Sequence, residues 1–222
     1  MNPPRHPGAR GAGRRRIARP SRRAEARARR LMPGELAWYA TGRFYLSDEG
    51  RLADYGYFLH LSGIDAPLFA GAQGESTAHF TFAARPFEAG SVSNGALMLG
   101  LDPVGEFSVY LQREPLASFD DPASFAQGER IATLRRTGMV VGTTVEQGIG
   151  PAQTPLLASN VFSAWLLESR GFEFGGRRYD LAQILGAGVT QFGTAAGASA
   201  PVPAGYKLAV PFTGSALALG PK

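Results

Sequence analysis

The chain has 222 residues, a formal net charge of +5 and no cysteine. Without cysteine it can hold no disulfide, thiolate zinc site, iron–sulfur cluster or cysteine nucleophile. No apolar run approaches the roughly 18 residues that a membrane-spanning helix needs. The length suits one domain of the larger all-β kind, and we expect a cytoplasmic protein without a membrane span.

The positive charge lies at the N-terminus. Residues 1–31 hold eleven arginines and one acid, whereas residues 32–222 hold twelve Lys and Arg against seventeen Asp and Glu. The first segment is rich in Pro and Gly and poor in apolar residues, which predicts a disordered basic tail. Three interpretations stay open: a tether to an anionic partner, a targeting segment, or a stretch without function that is read from upstream of the true start at Met32 and is not translated.

The first half of residues 32–222 predicts hairpins. Residues 37–46 and 51–61 form two strands around an SDEG turn. Residues 75–84 alternate between small or aromatic side chains and Thr or His, which is typical of a strand. Within residues 92–99, the Asn-Gly pair at 94–95 predicts a further hairpin.

The second half continues in the same way. Residues 105–112 form a strand, and the turn-rich residues 119–128 contain Phe119 and Phe125, which we expect to fold back onto the domain as a lid or plug. A Thr-Gly pair predicts a hairpin between residues 130–136 and 139–146. The remaining strands are predicted at residues 156–169, 172–174, 178–179, 188–194 and 206–219, with one helical turn within 179–185.

These elements predict an all-β domain over residues 32–222 with roughly eight to ten strands and short connections, which favours a single antiparallel β-barrel over a sandwich. Many Gly, Ala, Ser and Thr residues at 186–189 and 193–199 leave room in a barrel interior. In general shape the predicted barrel resembles calycins and allene-oxide-cyclase-type barrels. The resemblance covers architecture alone and assigns no functional residue.

Neither a metal site nor a cofactor is predicted. His60 and His79 are the only histidines in residues 32–222, and Glu75 and Asp65 are acids near them in sequence. Glu75 and His79 are four residues apart, whereas two ligands on one strand would be two apart. No phosphate-binding GxxxxGK[ST] loop or GxSxG nucleophile motif is present. The basic residues of the domain are scattered, which argues against a nucleic-acid surface there.

Two sets of side chains are candidates for a site. The ionisable set, suited to acid–base chemistry if burial perturbs its pKa values, is Glu75, His79, Asp121 and Glu129. The aromatic set, suited to lining a ligand pocket, is Tyr55, Tyr57, Tyr110 and Trp165.

Three functions follow from these patterns. The first is binding of a small, largely apolar molecule in the barrel interior. The second is a cofactor-independent barrel enzyme of the isomerase or cyclase type, which would act by shaping its substrate. The third is a structural or oligomeric module with aromatic residues at a subunit interface, so a homo-oligomer is compatible with the sequence.

Overall fold

The structure is a computed structural model that describes residues 29–84, 90–94, 97–101, 105–147, 154–195 and 200–221. Residues 1–28 of the predicted tail lie outside the described part of the chain. In the described part, the strands are β1 (Leu36–Ser47), β2 (Leu52–Leu61), β3 (Phe80–Ala84), β4 (Gly90–Asn94), β5 (Leu97–Leu101), β6 (Glu106–Leu111), β7 (Glu129–Gln147), β8 (Thr154–Ser169), β9 (Phe172–Phe174), β10 (Arg177–Tyr179), β11 (Gly188–Ala195) and β12 (Tyr206–Ala218), with one helix, α1 (Leu181–Leu185).

Eight of the strands close into an antiparallel barrel in the order β1-β2-β3-β6-β7-β8-β11-β12, with β12 pairing back to β1. Once the β4–β5 hairpin and the β9–β10–α1 segment are set aside, every neighbour in the barrel is also the next strand along the chain. The predicted single up-and-down barrel is therefore confirmed. Closure gives every barrel strand a partner on both sides, which protects the edges that an open sheet would expose.

The hairpin predicted at the Thr-Gly pair is wrong. Residues 129–147 form the single strand β7, which pairs with β6 along its first half and with β5 along its second half. Its other side pairs with β8, and the register shifts between Thr137 and Val141. Thr-Gly is not one of the strong two-residue hairpin turns, and here the glycine accompanies a bulge within a continuous strand.

The structure shortens one other predicted strand and supports one predicted hairpin. The strand predicted over residues 75–84 begins only at Phe80, because Glu75–Thr77 forms a 3-10 turn. The hairpin predicted at residues 94–95 is supported by the antiparallel pairing of β4 with β5, although residue 95 lies outside the described part of the chain. This hairpin, together with the distal halves of β7 and β8, extends the sheet beyond the barrel.

One end of the barrel is closed by α1 and the β9–β10 hairpin. Leu181, Ile184 and Leu185 are fully buried in the same core cluster as the inward side chains of the barrel. Leu31 joins this cluster, and its backbone N–H donates to the Ile184 carbonyl at 2.8 Å. The packed domain therefore includes at least one residue before Met32.

Residues 112–128 cover the outside of the barrel over β2 and β3. Phe119 and Phe125 are buried there against Tyr55 and Tyr57, and Thr81 Oγ1 donates to the Phe125 carbonyl at 2.7 Å. The prediction that the two phenylalanines fold back onto the domain is confirmed. Because the segment packs on the outer wall, it covers that wall and is not the predicted lid or plug.

Candidate functional site

A buried ion pair stands inside the barrel. Arg136 on β7 donates through Nη2 to both carboxylate oxygens of Asp54 on β2, at 2.9 and 2.7 Å. The side chains are only 3% and 12% exposed. Because moving two charges out of water is expensive, an ion pair at such a position needs close geometry to persist.

Aromatic rings surround this pair. The guanidinium carbon of Arg136 lies 4.8 Å from the ring centre of Phe162 and 5.5 Å from that of Phe107. Deeper in the barrel, Trp38 Nε1 donates to Gln191 Oε1 at 3.1 Å. Together with smaller neighbours these groups line one interior cavity, formed by Trp38, Ala40, Asp54, Phe58, Phe82, Phe107, Arg136, Phe162 and Gln191.

The cavity itself is small, with a volume of about 10 Å³. That is close to the smallest space that holds one water molecule. Glycines on the inner faces of β1 and β2 would leave more room, but the rings of Phe82 and Phe212 lie over Gly42. In this conformation aromatic side chains therefore fill the described interior around the ion pair.

The ionisable candidates lie outside this cavity. Glu75 accepts a hydrogen bond from the backbone N–H of Phe119 at 3.1 Å, and His79 Nδ1 is 2.9 Å from the Gln112 carbonyl oxygen. Glu129 pairs with Arg113 at 3.1 Å, and Asp121 is exposed. Within the described residues no group of three or more His, Asp or Glu side chains is arranged to hold a metal.

The aromatic candidates also face away from the interior cavity. Tyr55 packs edge-on against Tyr45 at 5.7 Å, and Tyr57 against Phe69 at 6.1 Å. Trp165 is 40% exposed, and Tyr110 alternates with the inward residues of β6. The aromatic side chains that do line the cavity are Trp38, Phe58, Phe82, Phe107 and Phe162. Sequence analysis missed them as a site because core and pocket aromatics have the same pattern.

Tyrosines on the outer wall form a second buried polar group. Burial raises the pKa of Tyr45 to about 12, against the opposing effect of the neighbouring Arg43. Burial also raises the pKa of Tyr55, and the nearby Tyr206 adds to the shift. The Tyr45 hydroxyl donates to the Phe119 carbonyl at 3.2 Å, so these phenols help to hold residues 112–128 against the barrel.

This cluster predicts a loss of stability at alkaline pH. Tyr45 in the unfolded chain loses its proton near pH 10, whereas in the folded protein it keeps the proton to about pH 12. The stabilisation is therefore complete below about pH 10 and is lost as the pH rises towards 12. Between about pH 9 and 11 we expect the free energy of unfolding, measured with urea, to fall by about 1 kcal/mol more in wild type than in Tyr45→Phe, in which Tyr55 still contributes its own loss. Equal losses in both proteins would contradict this role for Tyr45.

No protein-family model matches the chain, and no curated protein or solved structure matches it either. No helix in the described residues is long and apolar enough to cross a membrane. The candidate site is therefore interpreted from its own geometry, and its distinguishing feature is the Arg136–Asp54 pair within an aromatic shell.

Proposed function

We propose that the barrel binds a small, largely apolar molecule at the interior site around Arg136 and Asp54. The observation that supports this is the ion pair itself. Apolar side chains of similar volume at these two positions would stabilise a core as well or better. Ligand sites combine an apolar wall with a few fixed polar groups, and a charged pair inside an aromatic shell provides both.

The chemistry of the site favours a neutral, planar ligand with one polar group. The charges of Arg136 and Asp54 balance, so an ionised ligand would enter with an uncompensated charge. A ligand hydroxyl or carbonyl can instead hydrogen bond to the guanidinium or the carboxylate. The rings of Phe107 and Phe162 already stack around the guanidinium, and they favour an aromatic or otherwise flat ligand body.

Binding of a ligand also requires the interior cavity to become larger. A cavity of about 10 Å³ is far below the roughly 300 Å³ at which drug-sized ligand sites begin. The ligand therefore has to displace aromatic side chains around the cavity. We expect the ligand to associate more slowly than it encounters the protein by diffusion, because the aromatic side chains must first move out of the positions that they occupy without ligand.

The two tryptophans of the chain make a direct test. Trp38 lines the cavity and Trp165 lies on the outer wall, so Trp165→Phe leaves a single interior reporter and Trp38→Phe a single exterior one. Titration with 4-bromophenol, whose heavy atom quenches nearby indoles, should quench Trp38 saturably with a Kd of about 0.1–1 mM. Bromobenzene, which lacks the hydroxyl, should bind more weakly.

A variant that fills the cavity separates specific binding from collision. In the Trp165→Phe background, Ala40→Leu adds more volume at a lining position than the cavity of about 10 Å³ holds, so a thermal melt first checks that the variant folds. The folded variant should show saturable quenching at least tenfold weaker. Trp38→Phe should show only linear, collisional quenching of Trp165. The proposal fails if Trp38 is also quenched only linearly, or if Ala40→Leu leaves the saturable quenching unchanged.

A further inference from the structure

The central part of the outer wall formed by β8, β11, β12 and β1 carries no charge, and it is bordered by Arg43 on β1, Lys207 on β12 and Glu168 on β8. Residues 39–41, 161–167, 190–194 and 211–217 contain no Asp, Glu, Lys or Arg. Large apolar side chains stand exposed on this face, with Tyr39 at 49%, Phe192 at 48% and Trp165 at 40% exposure. Depletion of charge together with exposed aromatic residues is characteristic of the core of a protein–protein interface.

The hydroxyl groups of Thr41 and Thr213, on β1 and β12, are already hydrogen bonded within this face. Thr41 Oγ1 donates to the Phe212 carbonyl at 2.9 Å, and Thr213 Oγ1 donates to the Ala40 carbonyl at 3.1 Å. These threonines therefore present their methyl groups outward, and covering them leaves no polar group without a partner. A dry protein surface fits such a face better than a hydroxyl-rich ligand, which would need free donors and acceptors.

The strand register gives the face a symmetric shape. Ser215 on β12 lies opposite Tyr39 on one side and opposite Phe192 on the other. A barrel wall is convex, so two such walls approach most closely along one strand and diverge on both sides. Thr213 and Ser215 are the small outward side chains of β12 where the approach is closest, and aromatic rings flank Ser215 where a gap would otherwise open.

We propose that two copies of the chain associate through this face as a two-fold dimer, with β12 against β12 and Ser215 near the axis. Each Tyr39 then contacts Phe192 of the other copy. The matched placement of Tyr39 and Phe192 on either side of Ser215 favours a second copy as the occupant, and the excess of acids in residues 32–222 opposes association least at an uncharged face. This inference is independent of ligand binding in the interior.

The area of the face determines how tightly the two copies are expected to associate. Four strands about 4.8 Å apart, with rows of outward side chains about 6.8 Å apart along them, give a face of roughly 19 by 20 Å. A standard interface buries about 800 Å² on each partner, and this face offers roughly half of that, so the dimer belongs with weak, transient associations. It should therefore dissociate on dilution.

Sedimentation velocity of the full chain from about 1 µM to 500 µM tests the proposal. The mass of the wild-type protein should rise with concentration towards twice the monomer mass. The same rise is expected at about 0.5 M salt, which screens any association through the basic tail. Phe192→Glu should stay monomeric, with a Kd raised at least 100-fold. Leu116→Glu places the same acid at a position that is 72% exposed, away from the face, and should behave as wild type.

A wild-type chain that stays monomeric at the highest concentration overturns the proposal, as does a Phe192→Glu dimer as strong as that of wild type. Thermal melts of both Glu variants check that they fold. The absence of native cysteine allows a second measurement. Ser215→Cys should form a disulfide-linked dimer on oxidation and Leu116→Cys should not; failure of Ser215→Cys to cross-link rules out the arrangement centred on β12.

Discussion

Asp54→Ala is expected to lower the free energy of unfolding by about 3–5 kcal/mol, because it leaves the Arg136 guanidinium buried without its carboxylate. The Arg136 side chain is 3% exposed, so bulk water does not reach it, and a single trapped water replaces the charged carboxylate only in part. Urea unfolding followed by far-ultraviolet circular dichroism measures the loss. A change below about 1 kcal/mol would mean that water reaches the pair and that the site is wetter than the structure shows.

A double variant separates the role of the pair in stability from its role in binding. Asp54→Leu with Arg136→Met removes both charges and keeps an apolar volume, so we expect stability near that of wild type or above it. If the pair exists for recognition, the same double variant should lose the preference for 4-bromophenol over bromobenzene. A double variant that is as unstable as Asp54→Ala would instead make the pair a structural requirement of the barrel.

The barrel could be predicted from the sequence because its contacts are mostly between consecutive strands. The β1–β2 hairpin, the β9–β10 hairpin and the helical turn at Leu181–Leu185 each follow from local alternation, turn residues or glycine pairs. The length of β7 could not be predicted in this way. Two different strands, β5 and β6, pair with the two halves of its one edge, and no local pattern encodes such a change of partner.

The candidate site could not be assembled from the sequence for a related reason. Asp54 and Arg136 are 82 positions apart, and their contact depends on the closure of the whole barrel. The pattern of β2 also misleads, because Tyr55 and Tyr57 face outward while Asp54 and Gly56 face inward. Tyr55 and Tyr57 are half-buried on that outer wall because residues 112–128 cover it, so aromatic side chains on β2 do not mark its inner face.

Gly56→Ala is expected to destabilise the barrel by about 3 kcal/mol or more, because there is no space for a methyl group on this inner wall. A Cβ at Gly56 would lie 2.2 Å from the Thr41 carbonyl oxygen and 2.6 Å from both the Gly42 Cα and the Phe82 ring. The ring could turn away, but the two backbone atoms belong to β1, which pairs with β2 at this point. Relief would therefore require separation of β1 from β2, close to where the barrel closes through β12.

Gly71→Ala is the matched control, because its new methyl group would come no closer than 3.8 Å to another atom, Thr77 Cγ2. We expect this variant to unfold within about 0.5 kcal/mol of wild type. The comparison isolates the close approach of strands from the general effect of replacing glycine, which reduces the freedom of the unfolded chain in both variants. Equal unfolding free energies for the two variants would show that the β1–β2 pair can move apart, and aromatic side chains over Gly42 and Gly56 would then have room to admit a ligand.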